Sequence, residues 1–518
     1  MRKVSVLFSF LLITVSSFAQ VLSSQRIDSL VEKAMKVFNV PGIAVAVIKD
    51  GKVIHSKGYG VRSLNTNQPV DENTLFGIAS NTKAFTTAAL GILVDQGKLQ
   101  WDDKVVKYIP EYQLYDPYVT KEFTIRDLLT HRSGLGLGAG DLMFFPDSSD
   151  FTQKDVIHNL RYLKAVSSFR SKYDYDNNLY IVAGEVLARV SGKSWEDFIE
   201  EQILQPLAMT HSAATFDRLR EKTNVINAHA PVDGTVRVIP RHNGKADHPV
   251  GAIYSCIADL SKWVMLQLAD GKYGESLNKQ LFSTKVHRDM WSPQTIQPVS
   301  AFNATNYNTH FAAYGLGFGL SDVKGYMQIN HTGGLEGMVS QITMLPELNL
   351  GIIVLTNQHE GGAFTAIANQ IKDGYLNVPN RDWLTMLSGI RQQQLTAAKK
   401  ITDSVWKEIA VVQTQTAKVN VGPYLGTYHD QWLGDVIIAQ NNGKLWFTSK
   451  RSPKLTGELM PYKNNSFIVK WNDRSMDVDA FAIFSMQNGK PVGMTMKAVS
   501  PLTDFSYDFQ DLDFEKVK

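Results

Sequence analysis

The chain carries a single cysteine, Cys256, among its 518 residues. One cysteine excludes an intrachain disulfide and any C-x-x-C metal or redox motif, so stability has to come from packing alone. Its setting, GAIYSCIADL, suits a small buried hydrophobe better than a nucleophile. An excess of one charge is missing too. The 53 Lys and Arg nearly balance the 50 Asp and Glu, and the formal +3 falls by two if Arg2 and Lys3 leave with a leader. Without a basic footprint, nucleic acid is excluded as a partner. There is no low-complexity tract and no internal repeat, and 44% hydrophobic residues are enough to bury a large core. The histidines are scattered, with no H-x-x-x-H pair and no cysteine partner, so neither a metal nor any other cofactor is expected.

A second long apolar run is also lacking. The first, in MRKVSVLFSFLLITVSSFAQ, has a positive start at Arg2 and Lys3, an apolar stretch from Val4 to Phe18, and small residues at Ser17 and Ala19. It is short of the ~20 apolar residues a membrane span needs. It reads as a signal peptide over 1–19, cleaved after Ala19 with no lipid-accepting cysteine behind it. The expected product is an exported protein, periplasmic or secreted, with no stable membrane span.

What is present predicts an α+β protein. An amphipathic helix over Ile27–Phe38 precedes a hairpin, GIAVAVIKDGKVIHSKGYG, turning at Asp50-Gly51. A helix-rich stretch from about Ser80 to Ala269 follows, and strands return at 314–320, 326–334 and 350–358. Strands at both ends of a helical insert predict an antiparallel sheet assembled from both ends of one domain, residues 20–380, and flanked by helices. Residues 381–418, rich in Lys, Arg, Gln and Thr and free of proline, predict a surface helix or helical linker. From 419 to 518 two Asn-Gly turns, at Asn442-Gly443 and Asn488-Gly489, predict a small antiparallel sheet or barrel. Trp432, Trp446 and Phe447 are expected in its core.

Three short motifs carry chemistry. In FGIASNTKAFTTAALGILVDQGKL, Phe85, Ala88, Ala89, Ile92 and Leu93 recur at helical spacing. This places Ser80 near the start of a buried helix, with Lys83 one turn on. A serine hydroxyl needs a base, and burial near a positive helix end depresses a lysine toward neutrality. Three other S-x-x-K matches (Ser276/Lys279, Ser321/Lys324 and Ser404/Lys407) lack such a setting. In SKYDYDNNLYIVAGEVLARVSG, Tyr175 can shuttle a proton and the Asn177 amide can hold a substrate carbonyl. In NHTGGLEG, His331 lies on or beside a sheet strand where Gly333 and Gly334 let a substrate approach the backbone. The N–H of Gly334, with that of Ser80, would form an oxyanion hole. His131 and Arg132 are expected to organise a loop under the site.

Ser80-x-x-Lys83, Tyr175-x-Asn177 and His331-Thr332-Gly333, in that order, resemble the serine β-lactamase and penicillin-binding-protein superfamily. TIRDLLTHRSGLG, ILQPLAMTHS, GAIYSCIADLSKW and YGLGFGL resemble its class C-related branch of D-aminopeptidases, D-Ala-D-Ala carboxypeptidases and esterases. The tail resembles, more loosely, the lipocalin-like domain attached to some of them. The resemblance implies a β-lactamase/transpeptidase-like fold and acyl transfer through Ser80. Lys83 and Tyr175 would be catalytic, and Asn177, His331, Gly333 and Gly334 would bind the substrate and the oxyanion. Two departures stand out. Asp176 replaces the usual serine and would add negative charge beside the site. His331 replaces a lysine that helps hold a substrate carboxylate, and a histidine is mostly neutral at pH 7. The expected activity is therefore hydrolysis of an ester, amide or D-amino-acid peptide, with a small-molecule or short-peptide substrate. An acyltransferase, a true β-lactamase and a non-catalytic penicillin-binding sensor are the alternatives.

Overall fold

The computed structural model describes residues 21–379, 381–414, 419–476 and 478–518. The leader expected over residues 1–19 lies outside them. Helix α1 (Ser24–Phe38) is capped by the Ser23 hydroxyl and buries Ile27, Val31, Ala34 and Phe38. Strands β1 (Gly42–Lys49) and β2 (Lys52–Gly60) then form the expected hairpin. Asp50 and Gly51 both take positive φ, the conformation that a two-residue turn of this twist requires.

The main sheet is completed by β3 (Thr295–Gln297), β4 (Ala312–Tyr314), β5 (Gly319–Val323), β6 (Tyr326–Leu335), β7 (Met338–Leu345) and β8 (Leu350–Thr356). Its order is β2-β1-β8-β7-β6-β5-β4-β3, so the N-terminal hairpin closes onto the last strand across the helical insert. Both faces are covered, which is why β1 and β8 read as continuous apolar runs. Ala44, Ala46 and Ile48 of β1 face the core shared with α2 (Thr82–Asp95) and α4 (Ile257–Leu268), with α3 (Asn178–Ser191) behind. Ile43, Val45 and Val47 face α1 and α5 (Gly361–Tyr375). The strand expected at 314–320 is instead two short strands joined by a turn, in which the Gly315 amide donates to the Phe318 carbonyl at 2.8 Å. The glycines of YGLGFGL mark that turn.

Helix α6 (Trp383–Thr414) runs for 32 residues, about 48 Å at 1.5 Å per residue. It is anchored at both ends. The Trp383 indole donates to Asp373 at 2.7 Å, and Val405 and Ile409 pack on Ile468 and Val499 of the tail. The tail is a closed antiparallel barrel: β9 (Gly426–Asp430), β10 (Gly434–Asn441), β11 (Lys444–Ser449), β12 (Thr456–Pro461), β13 (Ser466–Trp471), β14 (Ala480–Gln487), β15 (Lys490–Ala498) and β16 (Asp513–Lys516). Both Asn-Gly pairs sit in hairpin turns at positive φ. Trp432 and Phe447 are buried as expected, but Trp446 is only half-buried, because the alternation along β11 turns it away from the Leu445 and Phe447 face.

The barrel packs directly on the domain built around the main sheet, and its core joins the core around α2 in one apolar cluster. Polar contacts fix the docking. The Asn159 amide donates to the Trp432 carbonyl at 2.8 Å, and Arg451 pairs with Asp150 at 2.6 Å and Asp155 at 3.1 Å. The Asp508 carboxylate accepts the amides of Gly140 (2.6 Å) and Leu142 (3.1 Å).

Candidate active site

Ser80 lies in a single tight turn, Ala79–Asn81, that leads into α2. Ala79 holds φ at 51°, a conformation a non-glycine residue adopts at a cost of about 1 kcal/mol or more and a common mark of functional sites. The turn is wedged against β6. A Cβ on Gly333 would stand 2.3 Å from the Ile78 carbonyl oxygen and 2.9 Å from the Ala79 Cβ, so only glycine allows this approach. Gly334 faces open space and lines the cleft with Ser80, as an oxyanion donor must.

Lys83 is fully buried on α2. Its Nζ lies 3.1 Å from Ser80 Oγ and donates to Asn177 Oδ1 at 2.7 Å. The rings of Tyr175 and Tyr180 flank it, with centroids at 4.9 and 5.4 Å. Burial pushes the ammonium down to about 7, against the upward pull of Asp141, Asp247 and Asp176. A substantial fraction is therefore a neutral amine at neutral pH. Burial pushes the Tyr175 phenol well above its ordinary value, opposed by the neighbouring Ser80 hydroxyl, so the tyrosine remains a proton donor. Its oxygen is buried without a hydrogen-bond partner among the described residues.

The Asn177 amide is more committed than expected. Its Oδ1 takes the lysine and its Nδ2 donates to Asp141 Oδ2 at 2.7 Å, so in this state it positions Lys83 rather than waiting for a substrate carbonyl. Asp176 adds less charge than expected. Its Oδ1 accepts the Asn178 amide at 3.1 Å, capping α3, and burial pushes its carboxyl up to about 7. His331 is neutral. Burial and then Lys83 push it down to about 4. Its Nδ1 faces the Thr332 carbonyl at 2.6 Å and so carries the proton, which leaves Nε2 to accept from the Tyr314 hydroxyl at 2.9 Å. His131 packs beneath, its ring 4.1 Å from Tyr175 and 4.6 Å from Tyr314, and its Nδ1 accepts the Asp176 amide at 3.1 Å. Arg132 braces the same loop by pairing with Asp127 at 2.9 Å.

These residues border a cleft of about 430 Å³, within the ~300–1,000 Å³ range of small-molecule sites. Of the seven site residues named from sequence, Ser80, Tyr175, Asn177, His331 and Gly334 line it, while Lys83 and Gly333 act from behind the wall, Lys83 through its contacts with Ser80 and Asn177 and Gly333 through packing. Others went unforeseen. Asp141, which holds Asn177, comes from no motif; Tyr314 opens the YGLGFGL segment but was not singled out as a site residue; and Asp504, Phe505 and Ser506 come from the barrel. His242, bound between Asp247 (2.8 Å) and Glu336 (2.5 Å), is held, against the cost of burial, well above its ordinary value by those two carboxylates, of which only Asp247 lines the cleft. The rival S-x-x-K residues Ser276, Lys279, Ser404 and Lys407 are all exposed.

Among the described residues one trio has metal-ligand geometry, His211, Cys256 and Asp259, with ligand atoms within 4.8 Å of one another. Burial pushes the Cys256 thiol up to about 12, and Asp259 already accepts the His211 amide at 2.9 Å and the Ser212 hydroxyl at 2.9 Å. Those donors do not fit a metal.

The profile of the Beta-lactamase family matches residues 27–375. The chain belongs to that family. A domain of unknown function (DUF3471) matches residues 411–516, the barrel and the end of α6. An unguisins hydrolase of Aspergillus violaceofuscus is 28% identical over 463 residues, covering 84% of this chain and 80% of the relative. Protein flp of Staphylococcus aureus is 27% identical over 341 residues, 65% of this chain and 63% of that one. The octameric penicillin-binding protein homologue from Pyrococcus abyssi matches in structure with a TM-score of 0.62 at 21% identity, over 96% of this chain and all of that one, and so shares the fold. Members of the family are serine hydrolases, and among the described residues no helix is long and apolar enough to cross a membrane.

Proposed function

We propose that the protein is an exported hydrolase that cleaves an ester, amide or D-amino-acid peptide through a covalent acyl-Ser80 intermediate. The observation that carries this is the Lys83 amine, held near neutrality 3.1 Å from the Ser80 hydroxyl. Lys83 takes the serine proton as Oγ attacks the carbonyl, and the amides of Ser80 and Gly334 receive the oxyanion. The proton passes from Lys83 by way of Tyr175 to the leaving group. Water, giving its proton back along the same path, releases the acid and restores Ser80. An alcohol or amine taking the place of water would make the same intermediate a transferase.

The cleft argues against antibiotic hydrolysis. Its described lining has no arginine or lysine, His331 is neutral, and Asp247 and Asp504 border it. A substrate carboxylate finds no fixed cation there. The test is one turnover panel of p-nitrophenyl acetate, D-alanine p-nitroanilide, a D-Ala-D-Ala peptide and a chromogenic cephalosporin, with and without added alcohol. Ester or D-aminopeptide turnover is expected, with poor cephalosporin hydrolysis. Efficient cephalosporin turnover would defeat the reading of His331, and turnover that survives in Ser80→Ala would defeat the mechanism.

A further inference from the structure

The catalytic cleft does not end at Leu335. A second cavity of about 280 Å³ adjoins it, and Phe145, His359 and Asp504 line both. Three parts of the chain wall this chamber. Ile239 and Gly337 come from the catalytic domain, Leu395 and Ala398 from α6, and Met476 from the barrel. The lining mixes apolar side chains with hydroxyls and with the charged Glu336, Arg391, Lys399 and Asp504, and the Thr503 Oγ1 is buried there with no hydrogen-bond partner among the described residues.

Strand β6 connects the two cavities. Its pairing with β5 stops at Asn330, whereas its pairing with β7 continues to Leu335. From His331 to Leu335 one edge of β6 therefore has no strand partner among the described residues, and an extended peptide backbone can add to such an edge. The direction along it follows from the proton path. Tyr175, which serves the leaving group, sits at the His331 end, with ring centroids 6.2 Å apart. The acyl part of the substrate then continues the other way, past Gly334 toward Glu336, Gly337 and the second chamber.

We propose that this chamber is the acyl-side subsite for a substrate longer than one residue, a peptide or peptide-like amide whose distal apolar side chain it receives. The inference rests on the acyl-Ser80 reading. It also gives the barrel and the long helix a common purpose, since the chamber exists only where both meet the catalytic domain.

The test compares p-nitrophenyl acetate with p-nitrophenyl esters of N-acetylated peptides of one to three residues ending distally in phenylalanine, all-L and all-D. In the wild type, kcat/KM is expected to rise about tenfold or more once the acyl chain reaches the chamber. Ala398→Trp fills the chamber and should abolish that rise while acetate turnover stays within about twofold. Leu395→Trp, at a more exposed position on the same helix, makes the same comparison if Ala398→Trp fails to fold. A wild-type profile flat with acyl length, or variants that slow acetate and peptide esters alike, would overturn the subsite. Failure of the serine reading shows separately, as acetate turnover that is absent or that persists in Ser80→Ala.

Discussion

Two walls face each other across the cleft. On the catalytic-domain side, Lys83 and Asn177 are buried and tied by hydrogen bonds of 2.7 Å into one network. On the barrel side, Asp504 and Phe505 are partly exposed and stand on a loop, the Phe505 ring meeting Tyr175 edge-on at 5.8 Å. The first wall is dry, and that dryness gives the lysine its low proton affinity. The second wall is expected to maintain that dryness and to shape what can enter. Chemistry resides on packed helices and a strand, and selection on a loop, a division that suits a fold reused for many substrates.

The strongest way to break the comparison is to remove the nucleophile or its base. Ser80→Ala and Lys83→Met should each lower ester turnover about ten-thousand-fold or more, because the two act as a unit. Their stabilities should differ. Lys83 titrates near 7 in the folded chain and near its ordinary value when unfolded, so between these limits the unfolded state binds more protons and stability rises with pH. Lys83→Met removes that cost. It should raise Tm at pH 7, with the gain shrinking toward pH 10, whereas Ser80→Ala should leave this pH dependence intact. Thermal melts across pH separate the two.

A smaller effect is expected from Asp141→Asn. The carboxyl holds Asn177 and pulls Lys83 toward its charged form. In the wild type kcat/KM should climb through about pH 7 as Lys83 loses its proton. Without the anion that limb should move to lower pH, while the rate plateau falls about tenfold through loss of positioning. A limb that moves upward would show that Asp141 does not act through charge.

Phe505→Ala tests the opposite wall and has the opposite sign. Admitting water beside Tyr175 weakens the burial that depresses Lys83, so the acid limb should move to higher pH. Turnover at pH 6 should drop a few-fold, with substrate preference altered more than the plateau. If the limb stays put, the barrel selects substrates without drying the site.

Much of the first wall was legible in the sequence, and little of the second. Ser80 and Lys83 sit three residues apart on one helix, so a local motif carries both, and the apolar pattern behind them marks the helix as buried. Gly333 was legible as a close approach, although what approaches is the Ser80 turn rather than a substrate. Asp141 and Ser506 meet across 365 residues of chain, and no local pattern records that contact. Gly138 shows the same limit. It reads as one loop glycine among several, yet it has φ at 70° and a Cβ there would stand 2.6 Å from the Phe505 carbonyl oxygen. The split of 314–320 into two strands was hidden because Gly315 and Gly317 interrupt an apolar run that alternates as a strand would.

The finest test joins the two walls. The Ser506 hydroxyl donates to Asp141 Oδ2 at 2.8 Å, the same oxygen that accepts from Asn177, while Asp141 Oδ1 has no hydrogen-bond partner among the described residues. Burial already pushes Asp141 well above its ordinary value, and Ser506 is one of the groups that hold it down. Ser506→Ala should therefore push Asp141 further up, leave it less often ionised, and weaken its pull on Lys83. The acid limb should move to lower pH, in the direction of Asp141→Asn but by less, and stability should fall by about 0.5–1.5 kcal/mol, the usual net worth of one hydrogen bond. The double variant Asp141→Asn/Ser506→Ala should show no further shift, since the serine acts on the lysine only through the aspartate. An additive shift would mean that the barrel reaches Lys83 by another route, and drying by Phe505 would then be the one to measure.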